Sequence, residues 1–129
     1  MDRYTYIDTS AALKLVFLEP ETPEVERLLL ETDGLLASRL TEVELERAMK
    51  RTRDRRPVQQ ASEVYESIVF VNITPAITKR AAALPDPNLR SLDAIHLATA
   101  LSVNLADLEF LTFDARLARA ARAHGLTVP

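Results

Sequence analysis

The chain has 129 residues, of which 47% are hydrophobic and 27% charged, and its formal net charge is −3. This length and composition predict one domain over residues 1–129 and argue against a disordered or repeat-built chain. Because the sequence contains no cysteine, disulfides, zinc–thiolate sites and cysteine nucleophiles are excluded. The N-terminus lacks a signal-peptide pattern, and no apolar run reaches the roughly 18 residues of a membrane span, so we expect a cytoplasmic protein.

Short apolar runs alternate with amphipathic segments along the chain, which is typical of a parallel α/β fold. The runs predict strands at residues 4–7, 35–37, 68–73 and 108–112, with a last edge strand at 127–128. The intervening segments predict helices at residues 11–18, 22–31, 41–55, 58–66, 75–85, 92–103 and 115–124. Ser10, Thr74 and Ser91 stand where a side chain would cap the following helix.

Two aspartates follow predicted strands directly. Asp8 comes after the first strand and Asp114 after the strand at 108–112. Ligands of open parallel sheets bind beyond the carboxyl ends of the strands, so both carboxylates would lie at one edge if these strands are neighbours. Either aspartate alone could simply cap the next helix.

Asp93 is the only formally charged residue between positions 91 and 106, on a helix that is apolar nearly all round. Burying a lone carboxylate costs several kcal/mol unless it is paired, protonated or bound to a cation. Asp93 is therefore a candidate ligand for a cation, and the alternatives are a helix cap or a partner of Arg90.

Glu44 lies in the first turn of the helix predicted to begin at Thr41, between two other glutamates. At about 100° per residue, Glu44 sits close to Ala48 at one edge of the apolar stripe, whereas Glu42 and Glu46 lie together on the other side. Glu44 is therefore the glutamate that we expect to point inward.

Four carboxylates at one edge of a sheet would repel one another and raise one another's pKa, so such a cluster indicates a hard-cation site. Ligands that are all oxygen atoms favour Mg²⁺ or Mn²⁺. Such an ion activates water and neutralises charge on a scissile phosphate, which predicts phosphodiester hydrolysis.

Basic residues follow an acidic stretch. Residues 19–46 contain nine acidic and two basic side chains, whereas residues 47–56 contain six basic and one acidic. The basic stretch is either a solvated helix face or a strip that contacts phosphates. On the second interpretation, Arg47, Arg51 and Arg55 contact the phosphates of a nucleic acid, and Arg116, beside Asp114, is a further candidate.

His96 lies one helical turn beyond Asp93. The position would allow a general base or a metal ligand, but a lone histidine on an apolar helix is more often a hydrogen-bonded core residue. We favour the core interpretation.

Four segments resemble the signature segments of PIN-domain ribonucleases, specifically VapC-type toxins of bacterial type II toxin–antitoxin (VapBC) modules. They are MDRYTYIDTSAALKLVFLEPE, SRLTEVELERAMKR, LRSLDAIHLATAL and LTFDARLARAARAHGL, and each contains one of the four acids. The resemblance implies an α/β fold built as a three-layer α/β/α sandwich, with a central, mostly parallel sheet of about five strands. It also implies an acidic pocket formed by Asp8, Glu44, Asp93 and Asp114. The supporting hydroxyls would be those of Ser10 and Thr112.

The same resemblance implies an Mg²⁺- or Mn²⁺-dependent endoribonuclease that inhibits translation. It further implies a homodimer that forms a heterotetramer or larger assembly with a VapB-type antitoxin. One alternative is a catalytically silent PIN-like module that binds RNA or antitoxin through the same acids. Another is aspartyl-phosphate chemistry at Asp8, although the position two residues later is Ser10 and not a second acid.

Overall fold

The computed structural model describes residues 2–51 and 58–129. Its strands all run parallel and lie in the order β3-β2-β1-β4. The strands are β1 (Tyr4–Ile7), β2 (Gly34–Ser38), β3 (Ile68–Val71) and β4 (Glu109–Leu111). The helices are α1 (Thr9–Val16), α2 (Thr22–Leu29), α3 (Arg39–Arg51), α4 (Val58–Ser67), α5 (Pro75–Ala83), α6 (Ser91–Val103) and α7 (Ala115–Ala123).

The sheet is covered by helices on both faces. Successive side chains of a strand point to opposite faces, so Ile7 packs with α1 to α4 while Tyr6 packs with α6 and α7. On the second face the Tyr6 ring stacks on Phe110, with 5.2 Å between the ring centroids. Helix α5 adds a smaller core against α6 through residues that include Ile77 and Ala94. The predicted three-layer α/β/α sandwich is confirmed.

The described residues form a sheet of four strands, one fewer than predicted. The expected edge strand at 127–128 is a single bridge, in which the Phe110 N–H donates to the Thr127 carbonyl at 2.7 Å. The next hydrogen bond of a parallel ladder would need the N–H of residue 129, and Pro129 has none. The pairing therefore does not extend beyond Thr127.

Helix α1 begins directly after β1, so its cap differs from the prediction. Asp8, and not Ser10, is the N-cap, and its side chain accepts the Ala11 N–H. The prediction at Ser91 is also wrong, because Ser91 is already helical and Arg90 precedes α6 without a side-chain cap. Thr74 caps α5 as predicted, by accepting the Ile77 N–H at 3.2 Å.

Helix α6 is the most deeply placed helix of the second layer, between the sheet, α5 and α7. Its middle is buried on every side, which confirms the prediction of a buried apolar helix and explains why its amphipathic pattern is weak. Within residues 2–51 and 58–129, no helix is both long and apolar enough to cross a membrane.

Candidate acidic active site

The candidate site lies at the carboxyl ends of the central strands. Strand β1 has β2 on one side and β4 on the other, so the chain builds the sheet outward from β1 in both directions. Open parallel sheets bind their ligands at such a switch in strand order. The Asp8 N–H donates to the Leu111 carbonyl at 3.2 Å, so the ends of β1 and β4 are joined there. Beyond them is a cavity of about 300 Å³, whose acidic lining residues are Asp8, Glu44, Asp93 and Asp114. The structure thus brings together the four acids named from the sequence.

Asp8 is the most buried of these acids, with a relative exposure of 4%. Its Oδ1 accepts hydrogen bonds from the Ser10 hydroxyl at 2.7 Å and from the Ala11 N–H at 3.0 Å. Its Oδ2 accepts one from the Thr112 hydroxyl at 2.5 Å. These bonds fix the orientation of the carboxylate before any ligand arrives.

The Ser10 and Thr112 hydroxyls also hold the end of β4 in place. The Ser10 oxygen accepts the Phe113 N–H at 2.9 Å, and the Thr112 oxygen accepts the Asp114 N–H at 3.0 Å. Each hydroxyl therefore donates to Asp8 and accepts from the segment that carries Asp114. Both residues lie where the resemblance placed supporting hydroxyls.

Asp114 is the N-cap of α7. Its Oδ1 accepts the N–H groups of Arg116 and Leu117, at 2.9 and 3.3 Å. Within the described part of the chain, no hydrogen bond occupies its Oδ2. One oxygen therefore completes the helix terminus, while the other remains available to a ligand in the cavity.

Asp93 lies in the first turn of α6, at the edge of the cavity. Its pKa is raised, first by burial and then by the negative charge of Asp114, with a smaller contribution from Asp8. His96 and Arg90 act in the opposite direction. The Asp93 carboxylate forms no hydrogen bond or ion pair with any described residue. A divalent cation between these carboxylates would remove the repulsion that raises this pKa.

Glu44 reaches the cavity from α3. Its Oε1 accepts the Thr9 hydroxyl at 2.6 Å, and the His96 Nε2 lies 3.7 Å from the same oxygen. These neighbours lower the pKa of the Glu44 carboxyl, His96 most strongly, against the effect of partial burial. In contrast, Glu42 pairs with Arg39 at 3.0 Å on the outside of α3.

His96 belongs to both the core and the site. The residue is 4% exposed, and its Nδ1 lies 2.8 Å from the Tyr6 hydroxyl in the core. Its Nε2 faces the cavity and lies 3.4 Å from the Thr9 hydroxyl oxygen. The prediction of a hydrogen-bonded core histidine therefore accounts for the contact of Nδ1, but it does not account for Nε2, which faces the cavity. Thr9 was not singled out from the sequence, although its place directly after Asp8 is a signal that could have identified it.

The basic residues lie at different distances from the cavity. Arg47 and Arg51 are exposed on α3, about 4.5 and 10.5 Å further along the helix axis than Glu44. Arg55 lies outside the described residues. Arg116 is exposed on the first turn of α7 and lines a second cavity, of about 590 Å³, together with Arg119 and Asn88.

The donor set of the acidic cavity fits Mg²⁺ or Mn²⁺, since its ligating groups are carboxylate and hydroxyl oxygens. Among the residues that the structure describes, no three acidic or histidine side chains are already close enough together to hold a metal ion. The fit is therefore one of chemistry and charge, and the side chains would have to draw closer to coordinate an ion.

Comparison with known proteins identifies the family to which the chain belongs. The PIN domain family model matches residues 5–123. The chain is 41% identical to Ribonuclease VapC35 of Mycobacterium tuberculosis over 127 residues, which cover 95% of this chain and 93% of that protein. A toxin–antitoxin complex from Klebsiella pneumoniae contains a similar chain, with a TM-score of 0.70, 24% identity and coverage of 87% and 88%.

The fold is also similar to that of Mycobacterium tuberculosis VapC20, described as a sarcin–ricin loop cleaving toxin. The TM-score is 0.67 at 16% identity, and the match covers 95% of this chain and 96% of that one. The family match and the relative, which is matched over nearly its whole length, agree with the observed fold. The chain therefore belongs to the PIN-domain family and, within it, to the group of ribonucleases named VapC.

Proposed function

We propose that the protein is a metal-dependent endoribonuclease and the toxin of a bacterial type II toxin–antitoxin pair, acting in the cytoplasm to inhibit translation. The observation that carries this proposal is the Asp93 carboxylate, which has no partner among the described residues and lies in a cavity with Asp8 and Asp114. Burial, and then the charges of these two acids, raise its pKa. The 41% sequence identity to Ribonuclease VapC35, over nearly the whole chain, supports RNA as the substrate.

In this proposal Asp8, Asp93 and Asp114 would hold Mg²⁺ or Mn²⁺, and Glu44 would complete or orient the ligand set. The ion would supply an activated water molecule and neutralise charge that develops on the scissile phosphate. Ser10 and Thr112 keep the Asp8 carboxylate in a fixed orientation, so little reordering of that group is needed when the ion binds. The expected products carry 3′-hydroxyl and 5′-phosphate ends.

Of the arginines predicted to contact RNA, Arg116 lies nearest in the chain to an acid of the cavity. It lies two residues after Asp114, and its cavity on α7 also contains Arg119. Neither guanidinium group has a hydrogen-bonded or ionic partner in the described ranges, so both remain free to bind phosphates. Arg47 and Arg51 would contact RNA further from the reaction centre, and the same role is proposed for Arg55.

A VapB-type antitoxin is the partner that we propose, bound to a homodimer in a heterotetramer or larger assembly. The similarity of fold to the chain in the Klebsiella pneumoniae complex supports this assignment. An apolar groove of about 560 Å³ between α1 and α2, lined by Leu15, Pro23 and Leu29, would suit an apolar face of that partner. Leu30, at the rim of the groove, is 86% exposed.

The proposal is tested by incubating end-labelled total RNA with antitoxin-free protein in Mg²⁺, Mn²⁺ or EDTA. We expect cleavage with either metal, none in EDTA, and none by an Asp8→Asn variant. Asp33→Asn is a matched control, because Asp33 binds the Arg3 backbone at the opposite end of β1. Metal-dependent cleavage by Asp8→Asn at the wild-type rate would contradict the assignment. Binding of RNA or antitoxin without any cleavage would favour the silent module.

A further inference from the structure

The contacts of His96 indicate a role beyond packing. The imidazole lies between the fully buried Tyr6 on the sheet and the acidic cavity, and the Tyr6 and His96 rings meet edge to face with 6.0 Å between their centroids. Nδ1 contacts the Tyr6 hydroxyl, and Nε2 contacts Thr9 and faces Glu44. One ring therefore connects the core of the protein to one of the four acids.

The surroundings of the ring determine which nitrogen carries the proton. Nε2 lies 3.7 Å from a carboxylate oxygen of Glu44, where an N–H is attracted and a lone pair is repelled. A neutral imidazole protonated at Nε2 has a lone pair on Nδ1, which can accept the Tyr6 hydroxyl proton at 2.8 Å. Burial raises the pKa of Tyr6, so the phenol keeps the proton that it donates. Both ends of the ring thus agree on one tautomer.

Thr9 carries the interaction from His96 to Glu44. The hydroxyl donates its single proton to Glu44 Oε1 at 2.6 Å, so its oxygen can only accept from other groups. Those groups are His96 Nε2 at 3.4 Å and the buried Thr41 hydroxyl at 3.0 Å. The hydrogen bonds therefore run in one direction, from Tyr6 through His96 and Thr9 to Glu44. They engage only Oε1, and no described residue bonds to Oε2.

We propose that His96, oriented by Tyr6, is a positioning residue that holds the Glu44 carboxylate through Thr9, with Oε2 presented to the cavity. The inference rests on the proposed function in one respect, that Glu44 contributes to binding a divalent cation. Glutamate has a long and mobile side chain, and its orientation is here established when the protein folds rather than when the ion arrives. Tyr6 is fully buried, and in this arrangement His96 acts on the ion through Thr9 and Glu44.

The first test observes the tautomer directly. Long-range ¹H–¹⁵N NMR spectra of the free protein at pH 8.5, with His124→Gln used to assign the two histidines, should show Nε2 of His96 protonated and Nδ1 unprotonated. Tyr6→Phe keeps the ring but removes the donor, and should shift the Nδ1 resonance or mix the tautomers. Tyr4→Phe is the matched control on the same strand, since its hydroxyl lies near Asp2, away from the site. A wild-type ring protonated at Nδ1 and not at Nε2 would overturn the proposal.

The second test measures Mn²⁺ affinity by electron paramagnetic resonance, without RNA. We expect His96→Phe and Thr9→Val to weaken binding about tenfold, as is typical when a group that supports a metal ligand is lost. Thr9→Ser, which keeps the hydroxyl, should bind like wild type, and His96→Gln should recover part of the loss because its amide can donate near the position of Nε2. Circular dichroism establishes that each variant is folded.

The pattern of losses separates this inference from the proposed function. If Glu44→Gln weakens Mn²⁺ binding while Thr9→Val and Tyr6→Phe do not, the positioning role is wrong and the cation site remains. If Glu44→Gln binds Mn²⁺ as tightly as wild type while Asp8→Asn does not, Glu44 is not a ligand. The positioning role of His96 is then wrong, although the cation site at the aspartates stands. If Asp8→Asn also binds like wild type, the proposed cation site itself is wrong.

Discussion

Asp8 combines a structural role with a proposed chemical one, and two substitutions should separate them. Asp8→Ala removes the N-cap of α1, which costs roughly 1 kcal/mol. It also removes the acceptor for the Ser10 and Thr112 hydroxyls, which are only half-buried and can turn to water, so that their loss adds about 1 kcal/mol in all. Losing one negative charge beside Asp93 offsets part of this cost. We expect the free energy of unfolding to fall by about 2 kcal/mol, or roughly 8 °C in Tm for a chain of this size.

Asp8→Asn should behave differently. Asparagine is as good an N-cap as aspartate, and its amide oxygen can still accept the Ala11 N–H, so we expect a loss of stability under about 1 kcal/mol. The variant should nevertheless lose Mn²⁺ binding, because an amide supplies one neutral oxygen in place of a carboxylate. Thr74→Ala, which removes the cap of α5 away from the cavity, should lose roughly 1 kcal/mol and bind Mn²⁺ normally.

Urea denaturation followed by circular dichroism at 222 nm, in EDTA, measures these differences. The variants should share the m-value of the wild type and differ in the midpoint of unfolding. If Asp8→Ala unfolds at the wild-type urea concentration, the hydrogen bonds of Asp8 contribute nothing net and the reasoning is refuted. If Asp8→Asn is destabilised as much as Asp8→Ala, the separation of the two roles is refuted.

Three further outcomes are expected. In EDTA, the folded state holds the Asp93 proton more tightly than the unfolded state does, because the pKa of Asp93 is raised in the folded protein. The contribution of Asp93 to the free energy of unfolding should therefore fall as the pH rises from 3.8, the ordinary pKa of an aspartate, through the raised pKa of the folded state. Asp93→Asn should therefore gain stability relative to wild type across that window in paired urea titrations, and a constant difference would contradict the raised pKa. Mn²⁺ should raise the Tm of the wild type but not that of Asp8→Asn in a thermal melt, and equal shifts would place the ion elsewhere. Arg116→Gln and Arg119→Gln should each reduce the salt dependence of RNA binding by about one in log–log slope, with unchanged Tm; an unchanged slope would mean that these arginines are only solvated.

The positions of the four acids could be predicted from the sequence because each depends on a short-range rule. Asp8 and Asp114 follow strands whose carboxyl ends meet in any parallel sheet, and the structure pairs those strands as neighbours. Glu44 was separated from the glutamates beside it by helical periodicity alone, and Asp93 by being the lone charge on an apolar helix. The roles of these residues in catalysis remain predictions.

Details that depend on contacts between distant segments could not be predicted. Thr9 acquires its importance only because α1, α3 and α6 bring Thr41, Glu44 and His96 around it. The cap of α1 was assigned to Ser10 because the sequence does not show that β1 turns into a helix without an intervening loop. The edge strand was predicted from β-branched residues, but the pairing stops at Thr127, because the next N–H of the ladder would belong to Pro129.

The caps at Asp8 and Asp114 have a consequence for how the protein can be stored and switched. Backbone N–H groups already neutralise part of each carboxylate, so the fold does not wait for an ion to assemble, unlike small metal-dependent domains that unravel when stripped. If the proposed metal dependence holds, a chelator should inactivate the protein reversibly, leaving a folded molecule that binds the ion again once the chelator is removed. Similarly, a single substitution such as Asp8→Asn should yield an inert but well-folded chain, which would still bind the proposed antitoxin and act as a decoy for it.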